Sequence, residues 1–291
     1  MREKPTVVCG LHAALAVLKH RPGAIRRVYH AASRRHELGA LLKHTAALRR
    51  PYNEVEPDEL EAVAGTVHHE GVVVVTDPLE YVPLPALLRA LPRDGVLLAL
   101  DGVGNPHNLG AILRSAAWFG AAGVVLPLDD PRQAALSPAA VRVARGGAEV
   151  VPVAGVPALL PALRQLAAAG VTLVAAEAET GASPLAGPLP PRPCCLVLGA
   201  EDQGLTPAAR VACSHRLSIP GTGAVESLNV SVAAGILLAG LTRDGVVAPP
   251  ARSVLVAGGA GDDPSPPRRD KPRPGRRAPG RRGRPGRGRP E

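Results

Sequence analysis

Unbroken apolar runs dominate the chain from Gly95 onward. VLLAL (96–100), GVVLPL (123–128), VTLVAAEA (171–178), CCLVLGA (194–200) and HRLSIP (215–220) each read as a strand. Between them lie segments with helical spacing: the helix opening inside DGVGNPHNLGAILRSAAWFG (101–120), SPAAVRVARGG (137–147), PALLPALRQLAAAG (157–170), TPAARVAC (206–213) and ESLNVSVAAGILLAGL (226–241). Apolar strands without alternation, separated by helices, predict an α/β fold whose parallel sheet is covered on both faces. Ligands of such sheets bind beyond the carboxyl ends of the strands.

The first quarter of the chain predicts a separate small α/β unit. LHAALAVLKH (11–20) and HELGALLKHTAAL (36–48) are helical, AIRRVYHA (24–31) and GVVVVT (71–76) read as strands, and PDELEAVAG (57–65) is a short helix with an acidic first turn. Prolines in DPLEYVPLPALLRALPRDG (77–95) mark a boundary. The expected organisation is a small α/β domain over 1–78, a linker over 79–94, a larger α/β domain over 95–247 and a tail over 248–291.

Charge changes this picture in two places. The net charge is +9, yet residues 251–291 hold twelve Lys and Arg against four Asp and Glu. The rest of the chain is therefore near neutral. The Pro/Gly/Arg tail has almost nothing to bury and is expected to be disordered, either as a phosphate-binding arm or as a plain solubilising extension. Between Lys19 and Arg50 nine basic residues face the single acid Glu37. That imbalance favours RNA contact over a merely solvated face, with Arg26, Arg27, Arg34 and Arg35 as candidate contacts.

Other signals are weak. His68, His69 and Glu70 adjoin, but neighbouring histidines on a strand point apart. The four cysteines form no C-x-x-C pair, so neither a metal site nor a disulfide framework is indicated. No apolar run reaches the roughly 20 residues that span a bilayer. The start MREKPTVVCG has no signal-peptide core. A cytoplasmic protein with no membrane partner and no metal is expected.

Three turns fall at predicted strand ends: DGVGNPHN, GAEDQG and PGTGAVESLN. None is a phosphate loop or a G-x-G-x-x-G fingerprint. Together they bring carboxamide, carboxylate, hydroxyl and guanidinium groups to one edge of the sheet. Arg114 is expected only about a turn into its helix, near the positive end of the dipole, where an arginine is mildly unfavourable.

NPHNLGAILRSA, LVLGAEDQGL and IPGTGAVESLNVSVAAGILL resemble motifs one, two and three of the SpoU (TrmH-like) RNA ribose 2′-O-methyltransferases of the SPOUT superfamily, in order over 95–243. CGLHAALAVLKH…HHEGVVVV is similar to the L30e/L7Ae-like substrate-binding domain that often precedes it. In the third motif this chain has I-P-G-T-G where I-P-M-x-G is common.

The resemblance implies a SPOUT-type parallel sheet with a C-terminal trefoil knot, an exception to unknotted topology, and a homodimer with its active site near the subunit interface. It implies S-adenosylmethionine held by backbone groups near Leu198, Gly199, Ile219, Pro220 and Leu228, with Gly199 and Gly204 allowing close approach. Glu201, Ser227 and Asn229 complete the polar wall, while Asn108 and Arg114 face the RNA ribose. The activity implied is 2′-O-methylation of ribosomal RNA. A tRNA 2′-O-methyltransferase and an idle RNA-binding or ribosome-assembly factor on the same scaffold stand as alternatives.

Overall fold

The computed structural model describes residues 5–178, 182–251 and 255. Apart from 248–251 and Leu255, the basic tail expected over 248–291 lies outside the described residues.

The chain opens with β1 (Thr6–Cys9), α1 (Leu11–His20), β2 (Ile25–His30), α2 (Gly39–Ala47), β3 (Tyr52–Glu54), α3 (Pro57–Ala64) and β4 (Val72–Thr76). These four strands form a mixed sheet in the order β1-β4-β2-β3. Then come α4 (Leu84–Arg89), β5 (Val96–Asp101), α5 (Pro106–Trp118), β6 (Gly123–Pro127), α6 (Pro138–Val143), α7 (Gly147–Val150), β7 (Val153–Val156), α8 (Leu159–Ala168) and β8 (Thr172–Ala176). The remainder is β9 (Ser183–Pro184), β10 (Cys194–Gly199), α9 (Pro207–Ala212), β11 (His215–Ser218) and α10 (Val230–Leu241). Its seven strands pair in the order β7-β6-β5-β10-β8-β11-β9, every pair parallel.

The apolar runs are explained by a sheet covered on both faces. Along β5, Val96, Leu98 and Leu100 enter the core on one side, while Leu97 and Ala99 enter the core on the other. On β10 the same alternation sends Cys194 and Cys195 to opposite faces, each fully buried. Burial pushes the Cys194 thiol up to about 11 and likewise raises the Cys195 thiol well above its ordinary value. These thiols are small apolar filling, as their neighbours are.

Two boundaries differ from the sequence reading. Residues 79–94 are packed structure, with Val82 N–H donating to the Val153 carbonyl at 2.9 Å and Leu84, Ala86 and Leu87 buried. The prolines there start α4 instead of keeping the chain extended. The helix read over 137–147 breaks at Arg145 and Gly146, both with positive φ, into α6 and α7. The first-unit core is also continuous with the larger one, since Ala13, Val17, Leu38 and Val72 join Ala140, Ala144 and Ala148 in one buried cluster. No helix among the described residues is long and apolar enough to cross a membrane.

Candidate active site

The central pair of strands builds the site. β5 and β10 end in register, Asp101 opposite Gly199. The chain leaves β10 in a tight turn, with the Gly204 N–H donating to the Ala200 carbonyl at 2.8 Å. Any Cβ on Gly199 would lie 2.1 Å from the Gly204 carbonyl carbon, so only glycine permits the turn to fold back. Gly204 itself sits at φ +63°, the left-handed region that glycine enters without strain. Buried Asp101 clamps the far side by accepting the Thr206 N–H at 2.7 Å. The turn thereby exposes Glu201, Asp202 and Gln203.

Beside it, Asn105 caps α5 by accepting the His107 N–H at 2.8 Å, and Pro106 occupies the first turn, where no N–H is missed. This places Asn108 in the first turn, 8 % exposed. Asn229 caps α10: its Oδ1 accepts the Ser231 N–H at 3.0 Å and the Ser231 hydroxyl at 2.6 Å. Its Nδ2 is thereby free to donate to Asn108 Oδ1 at 3.1 Å and to Glu201 Oε1. Glu201 Oε1 also accepts the Val230 N–H at 3.1 Å. One residue from each of the three turns is thus hydrogen-bonded into a single network. It borders a cavity of about 320 Å³ that Gly104, Asn105, Asp202 and Arg132 also line.

Arg114 stands elsewhere. Because α5 begins at Pro106, Arg114 lies about two turns into the helix, beyond the single turn read from the sequence and past the positive end of the dipole. It is exposed and has no hydrogen bond or ion pair among the described residues. It lines a second cavity of about 540 Å³ between α5 and α10, with Ser115, Ser231, Val232, Gly235 and Ile236. Val230, the first residue of α10, lines the first cavity, while Ser231 and Val232 line the second, and the Ser231 hydroxyl donates to Asn229 of the network.

The remaining residues suggested by the motifs are spread along two segments. Leu198 is buried and Ile219 packs against the core, whereas Pro220, Ser227 and Leu228 are exposed in the segment leading to α10. No side-chain hydrogen bond joins Ser227 to the network among the described residues. Between Ile219 and Leu228 the backbone makes no backbone–backbone hydrogen bond either, again among the described residues. The final helix begins at Val230 and not at Glu226, because the Asn229 cap fixes its start.

The candidate RNA-contact arginines are already engaged. Arg26 meets Asp77 at 2.8 Å, Arg34 meets Glu37 at 2.9 Å and Arg35 meets Glu54 at 3.1 Å. Arg27 donates to the Tyr29 hydroxyl at 2.9 Å. The local basic excess is therefore partly offset by acids from other segments, although such exposed pairs are weak and exchange readily with phosphate.

Two residues of the site were not legible as such. Asp101 ends an apolar strand next to a glycine, a signal that could have found it. Arg132 carries none: it is held by Asp130 at 2.7 Å, lies 3.6 Å from Asp101 and donates to Gln203 at 3.4 Å. The hydrogen-bonded guanidinium of Arg132 holds the Asp130 carboxyl below its ordinary value.

Comparison with known proteins agrees with this geometry. Residues 95–239 match the SpoU rRNA Methylase family, and residues 7–82 match a family described as RNA 2′-O ribose methyltransferase substrate binding. A Ralstonia nicotianae protein named 23S rRNA (guanosine-2′-O-)-methyltransferase RlmB is 36% identical over 252 residues, covering 84% of this chain and 98% of its own. A Nitrosomonas europaea protein of the same name is 39% identical over 236 residues, covering 79% and 88%. The crystal structure of an AdoMet-bound rRNA methyltransferase from Sinorhizobium meliloti matches with a TM-score of 0.68 at 25% identity, covering 84% of this chain and 88% of that one.

Proposed function

Because the chain belongs to the SpoU rRNA methylase family, we propose that it is an S-adenosylmethionine-dependent RNA (ribose-2′-O)-methyltransferase that modifies a guanosine of 23S rRNA. The observation that carries this reading is the meeting of Asn108, Glu201 and Asn229 in one network at the ends of β5 and β10. An idle RNA-binding scaffold needs no such convergence.

The residues present fit the cofactor. Apart from the Ala224 N–H, which donates to the Thr222 hydroxyl at 3.3 Å, the Ile219–Leu228 segment has no backbone hydrogen bond among the described residues and offers its N–H and C=O groups beside apolar side chains. That combination suits the hydrogen-bonding edge and flat faces of an adenine. Leu198, Gly199, Gly204, Pro220 and Leu228 would hold the nucleoside, and Glu201, Ser227 and Asn229 would form the polar wall. When bound, S-adenosylmethionine supplies a methyl group already activated on a sulfonium.

The protein's remaining task is to place a poor nucleophile in line, and positioning alone accounts for roughly 7–11 kcal/mol in well-oriented reactions. The planar guanidinium fork of Arg114 suits orienting an RNA phosphate and stabilising charge that develops on the 2′-oxygen. Asn108, fixed by Asn229, supports the N-terminal turn of the helix that carries Arg114.

Arg114 lines one cavity while Asn108 and Glu201 line another, which supports a homodimer. The Arg114 cavity is flanked by Val232, 49 % exposed, and Ile236, 38 % exposed, an apolar surface that a second copy would cover while completing the site. A C-terminal trefoil knot is supported by β10 lying between β5 and β8 and by α10 returning to pack on α5. The N-terminal unit, read as L30e-like, would carry the RNA. A ribosomal RNA substrate supports a cytoplasmic location.

The test is a map of 2′-O-methyl groups on 23S rRNA from a strain lacking the gene, set beside calorimetry with S-adenosylmethionine. One guanosine losing its methyl group is the expected result. An unchanged map with no cofactor binding would overturn the reading.

A further inference from the structure

The junction between the two units carries more than packing. Arg21, the residue that ends α1, reaches α7 of the larger unit. Its Nε meets Glu149 Oε2 at 2.6 Å and its Nη2 meets Glu149 Oε1 at 3.0 Å, the two parallel bonds of a fork. The remaining Nη1 donates to the carbonyls of Asp77 at 3.0 Å and Pro78 at 3.1 Å, where the chain leaves the first sheet. The Glu149 side chain is 1 % exposed and that of Arg21 is 18 % exposed. One guanidinium thus fastens the first unit, its exit segment and α7 together. A second pair, Arg145 with Glu70 at 3.1 Å, spans the same junction.

What α7 touches gives the clamp its meaning. Its first residue, Gly147, lies so close to α5 that a Cβ would sit 2.7 Å from the Leu113 carbonyl oxygen and 3.0 Å from the Arg114 Cα. The element that Arg21 grips therefore backs directly onto the backbone that carries Arg114.

We propose that Arg21 is a positioning residue: through Glu149 and α7 it fixes the N-terminal RNA-binding unit at a set distance from Arg114, and that distance selects the nucleotide that is methylated. This rests on the methyltransferase reading given above. The apolar core shared by the two units, Ala13 and Val17 with Ala140 and Ala144, holds them together without direction. A buried, bidentate, shape-specific pair adds the direction and fixes the angle between them. RNA held by the first unit then presents a ribose at a fixed offset.

The test uses the full-length chain as Glu149→Gln and as the double variant Arg21→Met/Glu149→Leu, which leaves no buried charge unpaired. S-adenosylmethionine binding and the melting curve show that each variant is folded. The expected result is unchanged cofactor affinity, RNA KM close to wild type, kcat reduced by about tenfold or more, and methyl groups appearing at neighbouring nucleotides. Small-angle scattering should show a wider spread of unit orientations in the double variant, the shared core keeping the units in contact. Wild-type kcat and an unshifted methylation site in a folded double variant would overturn the proposal and leave Arg21 a stabilising contact. If the wild-type protein methylates no RNA, the functional reading fails instead. The scattering curve then still decides whether the clamp holds the units, identical curves refuting it.

Discussion

The Asn229 side chain reaches Asn108 across 121 positions of sequence while capping its own helix, Nδ2 donating to Asn108 Oδ1 at 3.1 Å as Oδ1 accepts the Ser231 N–H. One carboxamide thus does two jobs, and the substitutions that separate them differ. Asn229→Ala removes both and should cost about 1 kcal/mol of stability through the missing cap, together with cofactor affinity. Asn229→Asp keeps an acceptor for the cap but has no N–H for Asn108 or Glu201. It should lose cofactor affinity as severely as the alanine variant, and the stability kept through the cap should be offset by its carboxylate facing Glu201. Calorimetry and thermal unfolding on the same samples check this.

Arg114→Ala should abolish methyl transfer and leave cofactor affinity within a few-fold. Because the side chain is exposed and unpartnered among the described residues, stability should stay within about 0.5 kcal/mol of wild type. Arg114→Lys should also be poor, since an ammonium cannot reproduce a planar fork. Single-turnover rates on RNA are the measurement, and near-wild-type rates in the alanine variant would remove Arg114 from the mechanism.

Gly199→Ala places a methyl group against backbone that cannot swing away. It should destabilise the protein by roughly 1–3 kcal/mol and displace Glu201 from Asn229. At Gly204 an added Cβ meets open space, so Gly204→Ala should cost only about 1 kcal/mol from its positive φ. Urea unfolding of the two variants should rank them in that order.

Burial raises the thiols of Cys9, Cys194 and Cys213 from 9.0 to about 11; the Glu177 and Asp101 carboxylates add to the rise at Cys213. Between those values the unfolded chain has released protons that the folded chain retains. Stability is therefore fully present below pH 9 and should fall as pH rises from 9 towards about 11. Urea midpoints measured across that range check the sign. Iodoacetamide should label the native thiols slowly at about pH 8, where thiolate is scarce, and rapid labelling would contradict their burial.

Residues 258–291 hold eleven Lys and Arg against four acids and none of the three motifs. Deleting them should leave melting and cofactor binding unchanged. RNA affinity should weaken at low salt, with the salt slope flattening by about 0.7 for each phosphate that the shortened chain no longer neutralises. The methylated position should survive, because phosphate contacts orient without specifying sequence. Identical salt slopes for the two proteins would make the tail a solubilising extension.

Local pattern carried much of this architecture. The runs at 96–100, 123–128 and 194–200 are apolar on both faces because both faces are covered, so sequence alone implied a parallel sheet. The three turns were recognisable because glycine, asparagine and proline sit where backbone geometry demands them. What stayed hidden depends on partners distant in sequence. The separation of Arg114 from Asn108 follows from six residues of helical rotation combined with the docking of α10. Arg132 enters the cavity through a loop with no periodicity, and Glu149 is an ordinary acid until Arg21 meets it. The basic stretch read as unbalanced because Glu54, Asp77 and Glu149 arrive from beyond its ends.

The strand order has a consequence in time. β10 separates β5 from β8, yet the chain makes it after both. Until residues 194–199 are synthesised, β5 and β8 each present an unpaired edge in the middle of the future sheet. β8 has no partner on either side until β10 and then β11 are made, while β7-β6-β5 waits with one open edge. Open strand edges invite association with other chains, so the slow, long-range closure of this sheet leaves an emerging chain with an exposed half-sheet and a lone apolar strand until the joining strand arrives.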